Sequence, residues 1–126
     1  MKRFRKICII CGREIEWRKK WRKTWYQVKY CSHACRKAGL RDVDNALERM
    51  TMNLLQSQSS ASSICPSEVA RKYAAEQNEE KWRTLLEPTR RAARRLAQKG
   101  KIIILQKGHP VDPAHFKGPI RLKLIP

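Results

Sequence analysis

Four cysteines near the start of the chain have the spacing of metal ligands. Cys8 and Cys11 form a CxxC pair and Cys31 and Cys35 form a CxxxC pair, with nineteen residues between the pairs. Two such pairs match a tetrahedral structural zinc site, whereas a redox CxxC dithiol does not need the second pair. The sequence therefore predicts one Zn²⁺ ion held by these four cysteines, with reduced, buried thiols as the alternative.

Each cysteine pair also predicts its own local structure. Gly12 follows the first pair and can adopt the left-handed conformation that turns backbone N–H groups toward the sulfur atoms. The second pair has the i, i+4 spacing of one face of a starting helix, whose positive end favours thiolates. His33 lies between the last two ligands and could replace one of them, although a position facing solvent or a phosphate is favoured. A knuckle followed by a helix-borne pair predicts a treble-clef-like module over residues 1–40.

Cations and aromatic rings alternate between the two cysteine pairs. The rings are Trp17, Trp21, Trp25, Tyr26 and Tyr30, and the cations among them are Arg18, Lys19, Lys20, Arg22 and Lys23. Such a mixture suits contact with phosphates combined with stacking on exposed bases. Because so small a module has few other apolar residues for a core, we expect most tryptophans to be structural and the cations to bind nucleic acid.

A second group of cations falls at helical spacing further along the chain. Arg90, Arg91, Arg94 and Arg95 share one predicted helical face, and apolar residues occupy much of the opposite face. Their positions predict contact with a nucleic acid, to which Lys107 and Lys117 in a following loop would add. The alternative is a charged face that only contacts solvent.

The helices and strands that must position these residues are predicted from the periodicity of apolar residues and from the positions of prolines, glycines and capping residues. Helices are predicted over residues 42–56, with Asp42 available as a cap, from Pro66 onward, and from near Pro88 to Gly100. Residues 57–63, SQSSASS, predict a flexible loop in preference to a domain linker. Strands are predicted over residues 102–105 and 120–125, with a loop between them. Three helices followed by a two-stranded wing predict a winged-helix domain over residues 41–126, and the whole chain is predicted to be small α+β.

Composition limits the partners. The 126 residues carry a formal charge of +18, which favours a polyanion. Charge is densest in residues 1–40, with 13 Lys and Arg against 2 acidic residues. No apolar run approaches the length of a membrane-spanning helix, and the short apolar run at the start ends in Gly-Arg-Glu, so we expect neither membrane insertion nor export but a cytoplasmic protein.

Two segments resemble bacterial domain families of unknown function. The segment CIICGREIEWRKKWRKTWYQVKYCSHACRK resembles a short family with the pattern CxxCGRxxxWRKKW followed by YCSxxCR. The segment beginning ICPSEVARKY and ending GPIRLKL resembles a family with a predicted winged helix, marked by CPSEVAR and an Arg- and Ala-rich third helix. The resemblance implies a fusion of the two families, with the Ser-rich loop as a local insertion and the four cysteines in the positions of metal ligands.

These observations rank the classes of function. A zinc-containing nucleic-acid-binding protein, specifically a DNA-binding accessory or regulatory factor, is the leading hypothesis. An RNA- or ribosome-associated factor is the alternative, and a protein-interaction adaptor is a second one. We expect no enzyme and no small-molecule substrate, because no nucleophile has a nearby base and a zinc ion with four thiolate ligands has no open position.

Overall fold

The computed structural model of the chain describes residues 4–59 and 61–126. Within these residues the protein is small α+β, with four α-helices and an antiparallel sheet of four strands in the order β1-β4-β2-β3. The helices are α1 (His33–Ala38), α2 (Asp42–Gln56), α3 (Pro66–Glu76) and α4 (Leu86–Gln98). The strands are β1 (Ser63–Ile64), β2 (Ile102–Gln106), β3 (His109–Pro110) and β4 (Arg121–Leu124).

Helix α2 has the predicted bounds but a different cap. Its N-cap is Arg41, whose backbone N–H donates to Asp44 Oδ2 at 2.8 Å, and Asp42 is the first helical residue. The cap moves by one residue because a carboxylate at the third helical position can reach back to the N-cap amide. The predicted apolar stripe is confirmed, with Leu47 and Met50 buried in the core.

The next two helices begin near prolines, as predicted. Pro66 occupies the first turn of α3, where its missing N–H costs nothing. Helix α4 begins at Leu86, two residues before Pro88, because a 3₁₀ turn, Trp82–Leu85, leads into it. It ends at Gln98, and Gly100 follows with a φ of +75°, the conformation of a glycine C-cap.

The sheet has two more strands than the sequence predicts. β2 and β4 pair with Ile104 opposite Leu122, as expected of the two apolar runs. The additional strands β1 and β3 have two residues each, too few for alternation to be visible in the sequence. The side chain of Arg121 fixes β1 by donating to Ser63 Oγ at 2.7 Å and to the Ser63 carbonyl at 2.8 Å. Ser63 therefore belongs to the sheet and not to the Ser-rich loop.

Two separate apolar cores lie in the two predicted segments. The larger core, in residues 41–126, joins α2, α3 and α4 to the sheet through Leu47, Val69, Leu96 and Ile104. The smaller core contains the cysteines. No helix in the described part of the chain has the length and apolarity needed to cross a membrane.

Candidate metal centre and adjoining basic cleft

The first cysteine pair lies in a tight knuckle. Ile7 and Glu14 form an antiparallel bridge, and the Cys8 N–H donates to the Arg13 carbonyl at 2.8 Å. Gly12 closes the turn with a φ of +76°, and its N–H donates to the Cys8 carbonyl at 3.0 Å. The left-handed conformation predicted for Gly12 is therefore confirmed.

The second pair spans the start of α1. Ser32 is the N-cap, and its Oγ accepts a hydrogen bond from the Cys35 N–H at 3.2 Å. Cys31 directly precedes the cap, and Cys35 lies in the first turn of the helix. The cap therefore fixes the orientation of both cysteines relative to the knuckle.

The four cysteines form one cluster. The sulfur atoms of Cys8, Cys11, Cys31 and Cys35 all lie within 4.8 Å of one another. Cys11 Sγ lies 3.6 Å from Cys31 Sγ, which lies 3.6 Å from Cys35 Sγ. A tetrahedral ion with metal–sulfur bonds of about 2.3 Å holds its sulfur atoms about 3.8 Å apart, so the donors fit such an ion after small adjustments. The exposed His33 is not part of the cluster.

Crowding of the sulfur atoms separates the pKa values of their thiols. The hydrogen bond with Cys11 lowers the pKa of Cys8 to about 4, whereas the same contact and then burial raise the pKa of Cys11. Burial is also the main cause that raises the pKa of Cys35. The thiolate of Cys8 thus accepts a hydrogen bond from the Cys11 thiol. A bound cation would instead keep all four sulfur atoms deprotonated.

The tryptophans pack around this cluster. Trp21 and Trp25 stack with ring centroids 6.0 Å apart and lie partly buried against the cysteines. The indole N–H of Trp25 donates to the Phe4 carbonyl at 3.2 Å. For Trp21 and Trp25 the expected structural role is confirmed.

A basic cleft adjoins the cysteine cluster. Its volume is about 670 Å³, and none of its lining residues is acidic. The cations that line it are Arg18, Lys20, Lys29 and Arg36, together with the rings of Trp21, Tyr30 and His33. We call this surface the basic cleft. Arg18 and Lys20 are among the cations predicted from the sequence, whereas Lys29 and Arg36 are not. The closeness of Lys29 and Arg36 to the second cysteine pair was the available signal.

The remaining cations of the predicted segment lie outside the cleft lining. Lys19, Arg22 and Lys23 are exposed. Glu14, one of the two acidic residues in residues 1–40, does not line the cleft and pairs with Arg5 at 2.9 Å and with His115 at 2.8 Å. Arg5 also pairs with Asp112 at 2.8 Å. The hydrogen bond that the Ala114 N–H donates to Asp112, together with this Arg5 contact, lowers the pKa of Asp112.

Arg94 and Arg95 do not lie on an exposed face of α4, which corrects the prediction that they contact nucleic acid. They are 2% and 4% exposed. Arg95 donates to the Ile10 carbonyl at 2.7 Å and to Glu48 Oε2 at 2.8 Å. Arg94 donates to the Cys11 carbonyl at 3.4 Å, and burial lowers its pKa.

The physical reason is that the knuckle packs on α4. Gln98 donates to the Gly12 carbonyl at 3.3 Å, so Arg95, Arg94 and Gln98 bind three successive carbonyls of the CxxCG turn. We call these three side chains the α4 clasp. Spacing along one helix shows that residues share a face but not what covers that face, and so it does not predict the α4 clasp.

The other two arginines of α4 are partly exposed. Arg90 donates to the Gly118 carbonyl at 2.8 Å and lies over the ring of Phe116. The side chain of Arg91 is 40% exposed and is 3.9 Å from Glu87. In the loop between β2 and β4, Lys107 and Lys117 are both exposed. These four cations are thus accessible to different degrees, with Arg90 committed to a contact within the chain.

Two families match adjacent parts of the chain. The family described as "Protein of unknown function (DUF3253)" matches residues 44–125. The family described as "Uncharacterized protein conserved in bacteria (DUF2256)" matches residues 2–38. The predicted fusion of two families is therefore confirmed. None of the curated proteins compared with the chain matches it.

Proposed function

The chain belongs to the DUF3253 family, and we propose that it is a zinc-containing nucleic-acid-binding protein whose basic cleft contacts the phosphate backbone. In this proposal residues 1–40 form a treble-clef-like zinc module and residues 41–126 form a winged-helix domain. The order α2, α3, α4 followed by the β2–β4 pair supports the second assignment.

Zinc is the metal that the donor set favours. A cluster of four cysteines, three of them buried, is typical of structural zinc, which needs no open coordination position. Cys8 and Cys11 from the knuckle and Cys31 and Cys35 from the start of α1 would be its ligands. The ion would stabilise the module, and the basic side chains of the same segment would bind the nucleic acid.

The basic cleft carries the functional proposal. Lys29 and Arg36 line it, and in the described residues neither side chain has a hydrogen bond or an ion pair. Cations that serve the fold are normally paired when they lie close together, because like charges repel one another. Four cations without a carboxylate instead suit an anionic backbone, from which they release condensed counterions.

The burial of Arg94 and Arg95 shifts the proposed interface from α4 to the cysteine module. A recognition helix must present an accessible face to the major groove. Here the knuckle covers that part of α4, since the carbonyls of Ile10 and Cys11 accept from its arginines. Partly exposed Arg91 and exposed Lys107 and Lys117 remain in the proposal as secondary contacts with the phosphate backbone. Lys19, Arg22 and Lys23 remain as contacts next to the cleft.

The test compares the salt dependence of binding in matched variants. Lys29→Gln/Arg36→Gln removes two cleft cations, and Lys72→Gln/Lys101→Gln removes two exposed cations that do not line the cleft. Binding of each protein to duplex DNA, single-stranded DNA and RNA is measured at several salt concentrations. The cleft variant should reduce the magnitude of the negative slope of log affinity against log salt by about 1 to 2, and the control should leave it nearly unchanged. Equal slopes for the two variants on all three polymers would contradict the proposal.

A further inference from the structure

Resting on the proposed function, we propose that the basic cleft selects single-stranded nucleic acid and that an unpaired base stacks on Tyr26 at its rim. Tyr26 is 75% exposed, more than any other aromatic residue of the described chain except Phe4. Its hydroxyl accepts a hydrogen bond of 3.2 Å from Gln27 Nε2, and Gln27 lines the cleft. The exposed ring of Tyr26 therefore lies next in the chain to a residue of the cleft lining.

The shape of the surface favours a single strand over a duplex. A duplex is read by a protruding helix or ribbon that enters a major groove about 12 Å wide. The basic surface here is concave, and the segment that forms it contains only the 3₁₀ turns Lys19–Trp21 and Trp25–Gln27 and the short helix α1. A volume of about 670 Å³ lies within the range of sites that enclose a small ligand, so one or two nucleotides can enter. A strand with free bases can bend into such a cleft.

The cations are already positioned around an aromatic wall. Arg18 and Lys20 lie 5.8 Å and 5.2 Å from the centroid of the Trp21 ring, which is itself fixed by stacking on Trp25. Binding would therefore order few of these side chains anew. Sites for single strands combine a cationic track with rings on which successive bases stack, and they tolerate many sequences because every base has a π-face.

Single-stranded DNA and single-stranded RNA share this chemistry. Both offer unpaired bases and a phosphodiester backbone, and they differ at the 2′-hydroxyl. The experiment therefore uses labelled oligothymidylate and oligouridylate of about 12 nucleotides, within the usual site sizes, beside a blunt DNA duplex with the same number of base pairs. Fluorescence anisotropy with the zinc-loaded full chain measures the affinity for each.

Variants at position 26 separate stacking from charge. Tyr26→Leu removes the ring, and Tyr26→Phe keeps the ring while removing the hydroxyl. Because Tyr26 is largely exposed, both variants should keep the wild-type zinc content and circular dichroism. We expect Tyr26→Leu to weaken binding of one or both single strands by about tenfold, with Tyr26→Phe close to wild type and the duplex unaffected by either.

The outcomes distinguish this inference from the proposed function. Single strands bound more tightly than the duplex, with loss on Tyr26→Leu alone, support the inference, and the stronger strand identifies DNA or RNA. A duplex bound as tightly as the single strands, or an unchanged affinity of both strands in Tyr26→Leu, overturns it. If Lys29→Gln/Arg36→Gln still weakens binding in that case, the proposed function stands. If that variant has no effect on any polymer, both fail.

Discussion

The guanidinium of Arg95 in α4 donates a hydrogen bond of 2.7 Å to the carbonyl of Ile10, inside the CxxC turn. These residues lie 85 positions apart in the chain, yet both are buried. The contact connects the CxxC turn to α4, and so to the part of the chain that holds the larger core, residues 41–126, here called the C-terminal domain. The four-cysteine cluster and the C-terminal domain are therefore expected to stabilise each other, which would not hold for two modules joined only by a linker.

Replacing Arg95 tests this connection. Arg95→Met should lower the free energy of unfolding by about 3 kcal/mol, because it leaves the Ile10 carbonyl and part of Glu48 without partners in a buried site. Lys99 at 3.0 Å still neutralises Glu48, which limits the loss. Urea denaturation of the zinc-loaded protein measures the change. The matched control is Arg91→Met on the same helix, which should cost less than about 1 kcal/mol because Arg91 is half-exposed and its ion pair is long. Similar values for the two variants would contradict a stabilising clasp.

Gly12 lies where the turn approaches α4 most closely. A Cβ atom at this position would collide with the Cβ of Arg94, and its φ of +76° already disfavours other residues. Gly100 has nearly the same φ, +75°, but open space around it. Gly100→Ala should therefore cost only the backbone penalty of about 1 to 2 kcal/mol, and Gly12→Ala clearly more, because α4 and the knuckle must separate. Thermal or urea unfolding of the two variants gives the difference, and equal losses would show that the two elements can move apart freely.

Local signals in the sequence predict most of the elements and the four cysteines that form the cluster. The bounds of α2 follow from its apolar stripe, and the positive φ of Gly12 follows from its place after the CxxC pair. Burial of Arg94 and Arg95 could not be predicted in this way, because the partners that cover them include backbone carbonyls more than 80 residues away. Because every residue has a backbone carbonyl, residue types in the sequence do not show which carbonyls accept these hydrogen bonds.

The same reasoning explains which strands were missed. β2 and β4 are apolar runs with a clear turn region between them, whereas β1 has only two residues and is fixed by the side chain of Arg121. Likewise the basic cleft combines residues from both sides of the second cysteine pair, from Arg18 to Arg36. Only the folding of the module brings Lys29 and Arg36 beside Lys20.

Metal content should depend on the cluster and not on the fifth cysteine. Cys31→Ser should lose nearly all of the roughly one zinc ion per chain, because it removes one of four ligands. Cys65→Ser should keep it, since Cys65 lies at the N-cap of α3, outside the cluster. Elemental analysis after gel filtration measures both. A wild-type protein without zinc, or a Cys65→Ser variant that loses it, would contradict this assignment.

Removal of the metal should also destabilise α4. Once chelation unfolds the knuckle, Arg94, Arg95 and Gln98 lose their carbonyl acceptors. Amide hydrogen exchange in α4 should then accelerate, whereas α3, which makes no hydrogen bond to the knuckle in the described structure, should change less. Equal exchange rates in α4 with and without chelator would show that the clasp does not couple the domains.

The accessible cations of the C-terminal domain should matter only for long strands. Arg91, Lys107 and Lys117 are at least partly exposed, but none lines the basic cleft. Counterion release adds with each phosphate that is neutralised. A strand of about 4 nucleotides extends little beyond the one or two that enter the cleft, so its binding should not respond to the loss of these cations. A strand of roughly 16 nucleotides can extend beyond the cleft. Replacing all three of these cations with Gln should reduce the magnitude of the negative salt slope for that strand by up to about 2. Anisotropy at several salt concentrations with both lengths measures this. The cleft variant Lys29→Gln/Arg36→Gln is the positive control, because it should reduce the magnitude of the salt slope for strands of both lengths. If the triple variant weakens binding of the short strand as much as binding of the long strand, the C-terminal cations belong to the primary site. The basic cleft alone would then not define that site.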